Sequence, residues 1–572
     1  MSIRSPLLLG FLLAASSAGI LFSTTVKFPF FYDDIYYVQK NPAIRSVSLG
    51  SFLKPFSPVA PGLYRPVTTI SFAKDYALFG MRPFGYHLSN ILLHAAISGL
   101  VFLLAWQLLR SVFAAGVTAL LFALHPVHTE AVTWIAGRSE LLAAFFTLLS
   151  LLFFLHFRKT EAKKSFFFIM LSGIAYFLAL SSKEIAAPLP LALLLLEGDQ
   201  ALSKKKKYTP YAAFVLAVIL YVALRFTALG TLSVPLEHIR TAGLSLWGRM
   251  LLMAPIILHY VQLLFFPWGL RIEYDWVEFS PLIIGASSAI IAMIVAFGIW
   301  CLRTGRHTVA PLHTAGVGIL WFFLFLLPVS NIMPIGEIVA ERFLYLPSFG
   351  FCLFIGALVQ NYVGSSRVGP RHAVPLLFVL AIFSFLTLQR NNEWKDPETL
   401  WRATLERSPN APHALENLSS ILLAKGETGE AGALIDRART LWPMEPTLLA
   451  LKAQWHFGRG EADAGRALLE EALRIATPQN IAFTDIHRGP ALLALGRFEE
   501  ALVFFENAVS RNPSDAVLHN NLGIAQIQLW RLEEAKRSFE TAIALLEAQG
   551  SLTPEDERNL EGARENLDLL IY

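Results

Sequence analysis

The feature that most constrains this chain is a succession of apolar stretches, each long enough to cross a bilayer, filling the first two thirds of its 572 residues. A bilayer core of about 30 Å takes about 20 apolar residues of helix, and in lipid a helix satisfies its own backbone groups. Stretches at 6–26, 87–109, 111–126, 139–157, 165–181, 185–197, 210–226, 281–302, 314–330, 342–361 and 373–389 are read as about 11 crossings, 185–197 being the shortest. The first follows Ser2-Ile3-Arg4, lacks a clear small-residue cleavage site and is expected to remain as an anchor. With 55% hydrophobic and 16% charged residues, a single water-soluble globule is excluded.

The net charge of +4 hides a division at Arg390. Residues 391–572 carry 18 basic and 28 acidic side chains, whereas residues 1–390 carry 29 and 15. Two differently solvated domains are expected, 1–390 in the membrane and 391–572 outside it. Short cytoplasmic loops concentrate Lys and Arg. The basic loops are Arg158-Lys159 with Lys163-Lys164, Lys204 to Lys207, Arg303 with Arg306, and Arg367 with Arg371. Placing them inside leaves 27–86, 127–138, 182–184, 227–280, 331–341 and everything beyond 390 on the outer side. That count closes only if 246–266 is a re-entrant or interfacial helix, which Trp247, Arg249, His259 and Tyr260 favour because such groups prefer headgroup depth. Cys301 and Cys352 are too few and too isolated for a disulfide framework or a thiolate metal site.

The outer side gathers ionisable residues at the ends of apolar segments. They are Asp33-Asp34 and Arg65 in the first loop, His125, His128 and Glu130, Arg138 and Glu140, Lys183-Glu184, Glu337, and Glu341-Arg342. Charge at membrane depth is costly, so its recurrence on one side points to function. The structural alternatives are solvated loops for the aspartates and snorkelling helix ends for Lys183-Glu184 and Glu341-Arg342. His125 and His128 lack a third ligand at recognisable spacing, and no metal site is expected.

Beyond Arg390 the pattern becomes amphipathic with a period. Glu430-Ala431, Ala464-Gly465, Glu500-Ala501 and Glu534-Ala535 recur about every 34 residues, as expected of tetratricopeptide helix pairs that each bury a face on a neighbour. Gly426, Gly460 and Gly496 precede the first three, and are expected where two helices pack closely. Pro409, Pro443, Pro478 and Pro513 close the repeats. Four repeats are expected, with Pro397 to Ser408 as a leading half and Pro554 to Leu570 as a polar cap. The fold class is therefore all-α, a polytopic membrane domain followed by an α-solenoid suited to holding a peptide or protein.

Five blocks carry a resemblance to a known family. They are Tyr32-Asp33-Asp34 with Asn41-Pro42; His87-Leu88-x-Asn90-x-Leu92-Leu93-His94; His125 to Val132 with Gly137-Arg138-x-Glu140-Leu141-Leu142; Ser182-Lys183-Glu184; and Ala340 to Ser348. Together they resemble the transmembrane and tetratricopeptide-repeat-containing O-mannosyltransferases of the GT-C glycosyltransferase class, whose animal members carry longer repeat arrays. The resemblance implies a GT-C-like membrane domain that moves a sugar, mannose first, from a dolichyl or undecaprenyl phosphate donor to Ser or Thr hydroxyls of a protein held by the repeats. It implies a bacterial inner membrane or endoplasmic reticulum, with the repeats in periplasm or lumen, and no nucleic-acid partner. An inverting transfer needs a base, for which Asp33 or Asp34 is the candidate and Asp33 the first choice. The leaving phosphate needs fixed cations: Arg138, Lys183 and Arg342, with His125 and His128 as secondary donors and Glu130, Glu140, Glu341 and Arg65 in support. A divalent cation is left open. The competing readings are a same-fold transferase acting on a glycolipid or envelope glycan, and a non-catalytic membrane-anchored repeat scaffold.

Overall fold

The computed structural model describes residues 4–56, 62–159, 162–196, 204–230, 243–275, 279–307, 310–332, 336–365, 374–477, 483–548 and 554–570. The expected inner-loop cations Arg367 and Arg371 and the repeat-closing Pro478 lie outside the described residues. Among those residues every regular element is helical. Eight helices are long and apolar enough to cross a membrane: Ser5–Lys27, Pro83–Leu109, Ile135–Lys159, Tyr211–Leu229, Leu246–Phe265, Pro281–Gly305, Pro311–Val329 and Val374–Glu393. The remaining expected crossings are less regular. That at 111–126 belongs to a helix pair, Val112–Leu124 and Pro126–Thr133, bent by 49°, and Pro126 lacks the N–H needed to carry the first helix through. Those at 165–181 and 185–197 are short apolar helices, Ser165–Leu180 and Glu184–Leu195. That at 342–361 opens with a 3-10 turn, Glu341–Leu344, before the helix Pro347–Ser365.

Without water to drive apolar faces together, helices in lipid associate where small residues let them approach. Gly10 receives the ring of Phe102 while Gly99 receives that of Phe11, locking the first helix to Pro83–Leu109. Gly318 and Gly350 lie against each other's carbonyl oxygens, so any side chain there would collide with backbone.

The helix Leu246–Phe265 meets the length and composition of a crossing, and its polar contacts reach segments expected on the outer side. Near its start Arg249 donates from Nε to the carbonyl of Asn331 (2.9 Å) and from Nη2 to that of Ile332 (3.1 Å). Further along, the Tyr260 hydroxyl accepts from the amide of Ala340 at 3.0 Å. At its end His125 Nε2 meets the carbonyl of Leu264 at 3.0 Å. A helix of this length is about 30 Å long, and a crossing would carry one end away from these partners. The contacts join both ends of this helix to segments that the loop charges assign to one side.

The tail forms paired helices. Second helices Thr428–Leu441, Ala462–Ile475, Phe498–Arg511 and Leu532–Glu547 contain the four repeating pairs, and Pro397–Arg407 leads the array. Pro554–Asp568 packs against the last pair. Gly426, Gly460 and Gly496 serve the turns and not close packing. Their φ values are +78°, +77° and +74°, and a Cβ on Gly426 or Gly460 would meet nothing within 4 Å. Close approach falls instead to Gly432, Gly465 and Gly523, where a Cβ would come 2.6 Å from Trp455, Phe457 and Phe539 respectively.

The expected boundary after Arg390 falls inside the helix Val374–Glu393. An aromatic core crosses it, joining Phe31, Trp134 and Ile272 of the outer loops to Trp394, Trp401, Ala411, Ala414 and Leu418 of the tail.

Candidate active site

The first outer loop runs over the ends of the membrane helices, and Tyr32 turns it with φ +56°. A non-glycine residue in this left-handed region costs free energy that its surroundings must offset. The Tyr32 ring does so by packing 5.8 Å from Trp134 and 5.2 Å from Trp401, centroid to centroid. The turn sends the two aspartates to different environments. Asp34 is buried and accepts from the amide of Ala136 at 2.8 Å, tying the loop to the 134–138 segment. Asp33 is partly exposed, within electrostatic reach of Arg342, His413, Glu337 and Arg65. Burial lifts its carboxyl to about 6, against the pull of Arg342 and His413.

Arg342 and Arg65 act on this carboxylate, and Lys183 lies within electrostatic reach of both arginines. Arg342 is bonded through its guanidinium and its backbone amide to the buried Glu130, and lies 5.4 Å above the Trp134 ring. Lys183 pairs with the buried Glu140 and lies 5.2 Å from the Phe343 ring. Its enclosure lowers the ammonium to about 8, Glu140 opposing the shift and Arg65 and Arg342 adding to it. Arg65 touches Ser139 at 3.5 Å, and its buried Nε has no partner among the described residues. Arg65, Lys183 and Arg342 thus form a cationic rim with a donor to spare, an arrangement that suits an anionic group such as a phosphate.

The other expected residues are placed differently. Arg138 is fully buried, donating to Asn90 Oδ1 (2.5 Å), Ser71 Oγ (3.0 Å), Asp75 Oδ2 (2.5 Å) and the Tyr86 carbonyl (2.7 Å). Asn90 in turn donates to the carbonyls of Val132 (3.2 Å) and Trp134 (3.0 Å). This network braces the 126–138 crossover, and it consumes the donors that a phosphate would need. His125 is engaged with Leu264, and His128 with Ser348 Oγ at 2.8 Å in an aromatic nest with Phe122, His94 and Tyr345. Among the described residues no group of three or more His, Cys, Asp or Glu side chains is arranged to hold a metal ion. Glu341 is buried, accepting from the Arg271 amide and the Tyr274 hydroxyl (3.0 Å) with Arg390 at 3.6 Å. Burial pushes its carboxyl up to about 7 against the charge of Arg390.

Residues that sequence reasoning passed over are Glu273 and His413. Glu273 lies in the loop after the interfacial helix and His413 in the first turn of the helix Pro412–Ala424, and they meet at 2.8 Å. The repeat period carries no signal for His413. The charges Arg271, Glu273 and Asp275 between two apolar helices are a signal for the loop that holds them.

Comparison with known proteins agrees with the repeats and with the resemblance. Family models described as tetratricopeptide repeat match residues 385–446 and 492–557. The chain is 27% identical over 524 residues to protein O-mannosyl-transferase Tmtc1 of Drosophila melanogaster, covering 72% of this chain and 59% of that protein. It is 29% identical over 424 residues to protein O-mannosyl-transferase F38B6.6 of Caenorhabditis elegans, covering 70% and 58%. It is 28% identical over 564 residues to protein O-mannosyl-transferase TMTC3 of Homo sapiens, covering 84% and 61%. The chain therefore spans between 58% and 61% of the length of these three relatives. Among solved structures, ArnT from Cupriavidus metallidurans bound to undecaprenyl phosphate aligns at 15% identity and a TM-score of 0.41, covering 82% of this chain and 81% of that one, a likeness that carries no argument about chemistry.

Proposed function

We propose that this chain is an integral-membrane glycosyltransferase that moves a sugar, mannose in the first instance, from a polyprenyl phosphate to Ser or Thr hydroxyls of a protein on the outer face. The observation that carries the reading is one partly exposed carboxylate, Asp33, within electrostatic reach of Arg65 and Arg342, with Lys183 within reach of both cations. The sequence similarity to protein O-mannosyl-transferases supports it. Asp33 accepts the acceptor's hydroxyl proton as that oxygen attacks the anomeric carbon from the side opposite the phosphate. The anomeric C–O bond to phosphate breaks, its electron pair leaves with the polyprenyl phosphate, and the cations balance the growing charge. A carboxylate near 6 is largely ionised at neutral pH and still basic enough to take a proton in the transition state. The lipid tail lies among the membrane helices, and the compartment is a periplasm or an endoplasmic reticulum lumen with the repeats on that side.

The test is transfer of labelled mannose from dolichyl and undecaprenyl phosphate mannose to a Ser/Thr peptide by the purified full chain. Asp33→Asn lowers the rate by roughly 10²-fold or more, and Arg342→Gln by a comparable factor, while Asp34→Asn acts mainly on stability. Full activity of Asp33→Asn would remove the base assignment. Label recovered only in a glycolipid, as seen by mass spectrometry, would replace the protein acceptor with a lipid one.

A further inference from the structure

The aromatic core that crosses from the outer loops into the tail makes the first repeat part of the site's surroundings. Phe31 and Trp134 share that core with Trp394, Trp401, Ala411 and Ala414, and the Tyr32 ring, beside Asp33, meets Trp401 edge-on. Hydrogen bonds staple the same region. Glu273 accepts from the amides of His413 (3.4 Å) and Ala414 (3.1 Å) as well as from the His413 ring. Asp275 accepts from the amide of Asn410 at 3.1 Å, and Arg407 donates to the Leu270 carbonyl at 2.8 Å. A repeat that served only to recruit a partner has no need of an interior shared with the acidic loop.

His413 is the charged product of this arrangement. Its ring stays half exposed, with Nδ1 engaged by Glu273. Enclosure would lower the imidazole, but the bond to Glu273 and the charges of Glu273, Glu337 and Glu416 outweigh it and hold the ring protonated near 10. Asp33 faces Arg342, Arg65 and Glu337 from the membrane domain, Tyr32, Asp34 and Tyr37 from its own loop, and His413 from the repeat array.

We propose that the start of the repeat array flanks the catalytic carboxylate, and that His413 is a positioning residue whose positive charge acts on Asp33. The inference rests on the reading of Asp33 as the base. It makes the repeat array a participant in the chemical step as well as a holder of the acceptor.

The experiment is the pH dependence of kcat/KM for the full chain and its variants, with polyprenyl phosphate mannose and a Ser/Thr peptide. His413→Gln keeps a donor toward Glu273 and loses the charge, so the acidic limb moves to higher pH by about half a unit or more. His413→Arg restores the charge and returns the limb toward the wild-type position. A role confined to folding would lower kcat in both variants without moving the limb, and that result overturns the inference. Should His413→Gln fail to yield folded protein, His413→Asn is read against the same two outcomes. Asp33→Asn is run in parallel. An inactive Asp33→Asn with an unmoved limb in the His413 variants sinks the positioning role alone, whereas an active Asp33→Asn sinks the base assignment and this inference with it.

Discussion

Asp33 and Asp34 are neighbours of the same type, and their surroundings give them opposite work. Asp34 is spent on the amide of Ala136, whereas Asp33 stays partly exposed within electrostatic reach of cations. Its folded-state value of about 6 lies above that of an unfolded aspartate, so the native state binds the extra proton between roughly pH 4 and 6. Stability contributed at this site is therefore lost as pH rises through that window. Asp33→Asn is expected to unfold at a higher temperature than wild type at pH 8, with the difference narrowing at pH 5, while the transfer rate falls by roughly 10²-fold or more. Thermal unfolding in detergent at the two pH values checks this. The rate profile should be bell-shaped, with the acidic limb near 6 from Asp33 and the alkaline limb near 8 from Lys183, which loses its charge there. Lys183→Arg keeps the charge and should push the alkaline limb upward while the acidic one stays.

Among the elements, the helix Leu246–Phe265 decides the topology. It is long and apolar enough to cross, and Arg249 and the Leu264 carbonyl join its two ends to segments that the loop charges assign to one side. Cysteine placed at the exposed Leu244 and, separately, at the exposed Trp268 is expected to react with an impermeant maleimide from the outer side of sealed vesicles in both cases. Background from the native Cys301 and Cys352 is low because both are buried. Reaction of the two positions from opposite sides would show that the helix crosses, and would move the repeats to the inner face.

Across the whole molecule the repeat array touches the first outer loop at both of its ends. Trp401 meets Tyr32 at the start, and Asp515, in front of the helix Ala516–Gln528, meets Lys40 at 3.0 Å near a cavity of about 150 Å³ between Tyr36 and the later repeats. The two attachments differ in strength. Lys40 is 35% exposed, so Lys40→Ala should cost less than about 1 kcal/mol. Glu273 is buried and accepts three hydrogen bonds from the first repeat, so Glu273→Ala leaves those donors bare and should cost about 1–3 kcal/mol. Paired denaturation curves measure the difference, and a larger loss for Lys40→Ala would reverse the order.

Much of the architecture was legible without coordinates because it depends on local pattern. Hydropathy marks membrane-length apolar helices, and a 34-residue period marks the repeats. Each is a property of neighbouring residues. The motif blocks likewise named Asp33, Lys183 and Arg342, with Arg65 read from the first loop. Sequence alone could not apportion their roles, since burial and pairing join residues far apart along the chain. Asp34 reaches Ala136, Arg342 reaches Glu130, and His413 reaches Glu273. Arg138 stands in a motif beside Glu140, and only the folded chain surrounds it with Asn90, Asp75 and Ser71, which take up its donors. Chemistry at this surface follows from which charges remain unspent after packing, and packing is decided in three dimensions.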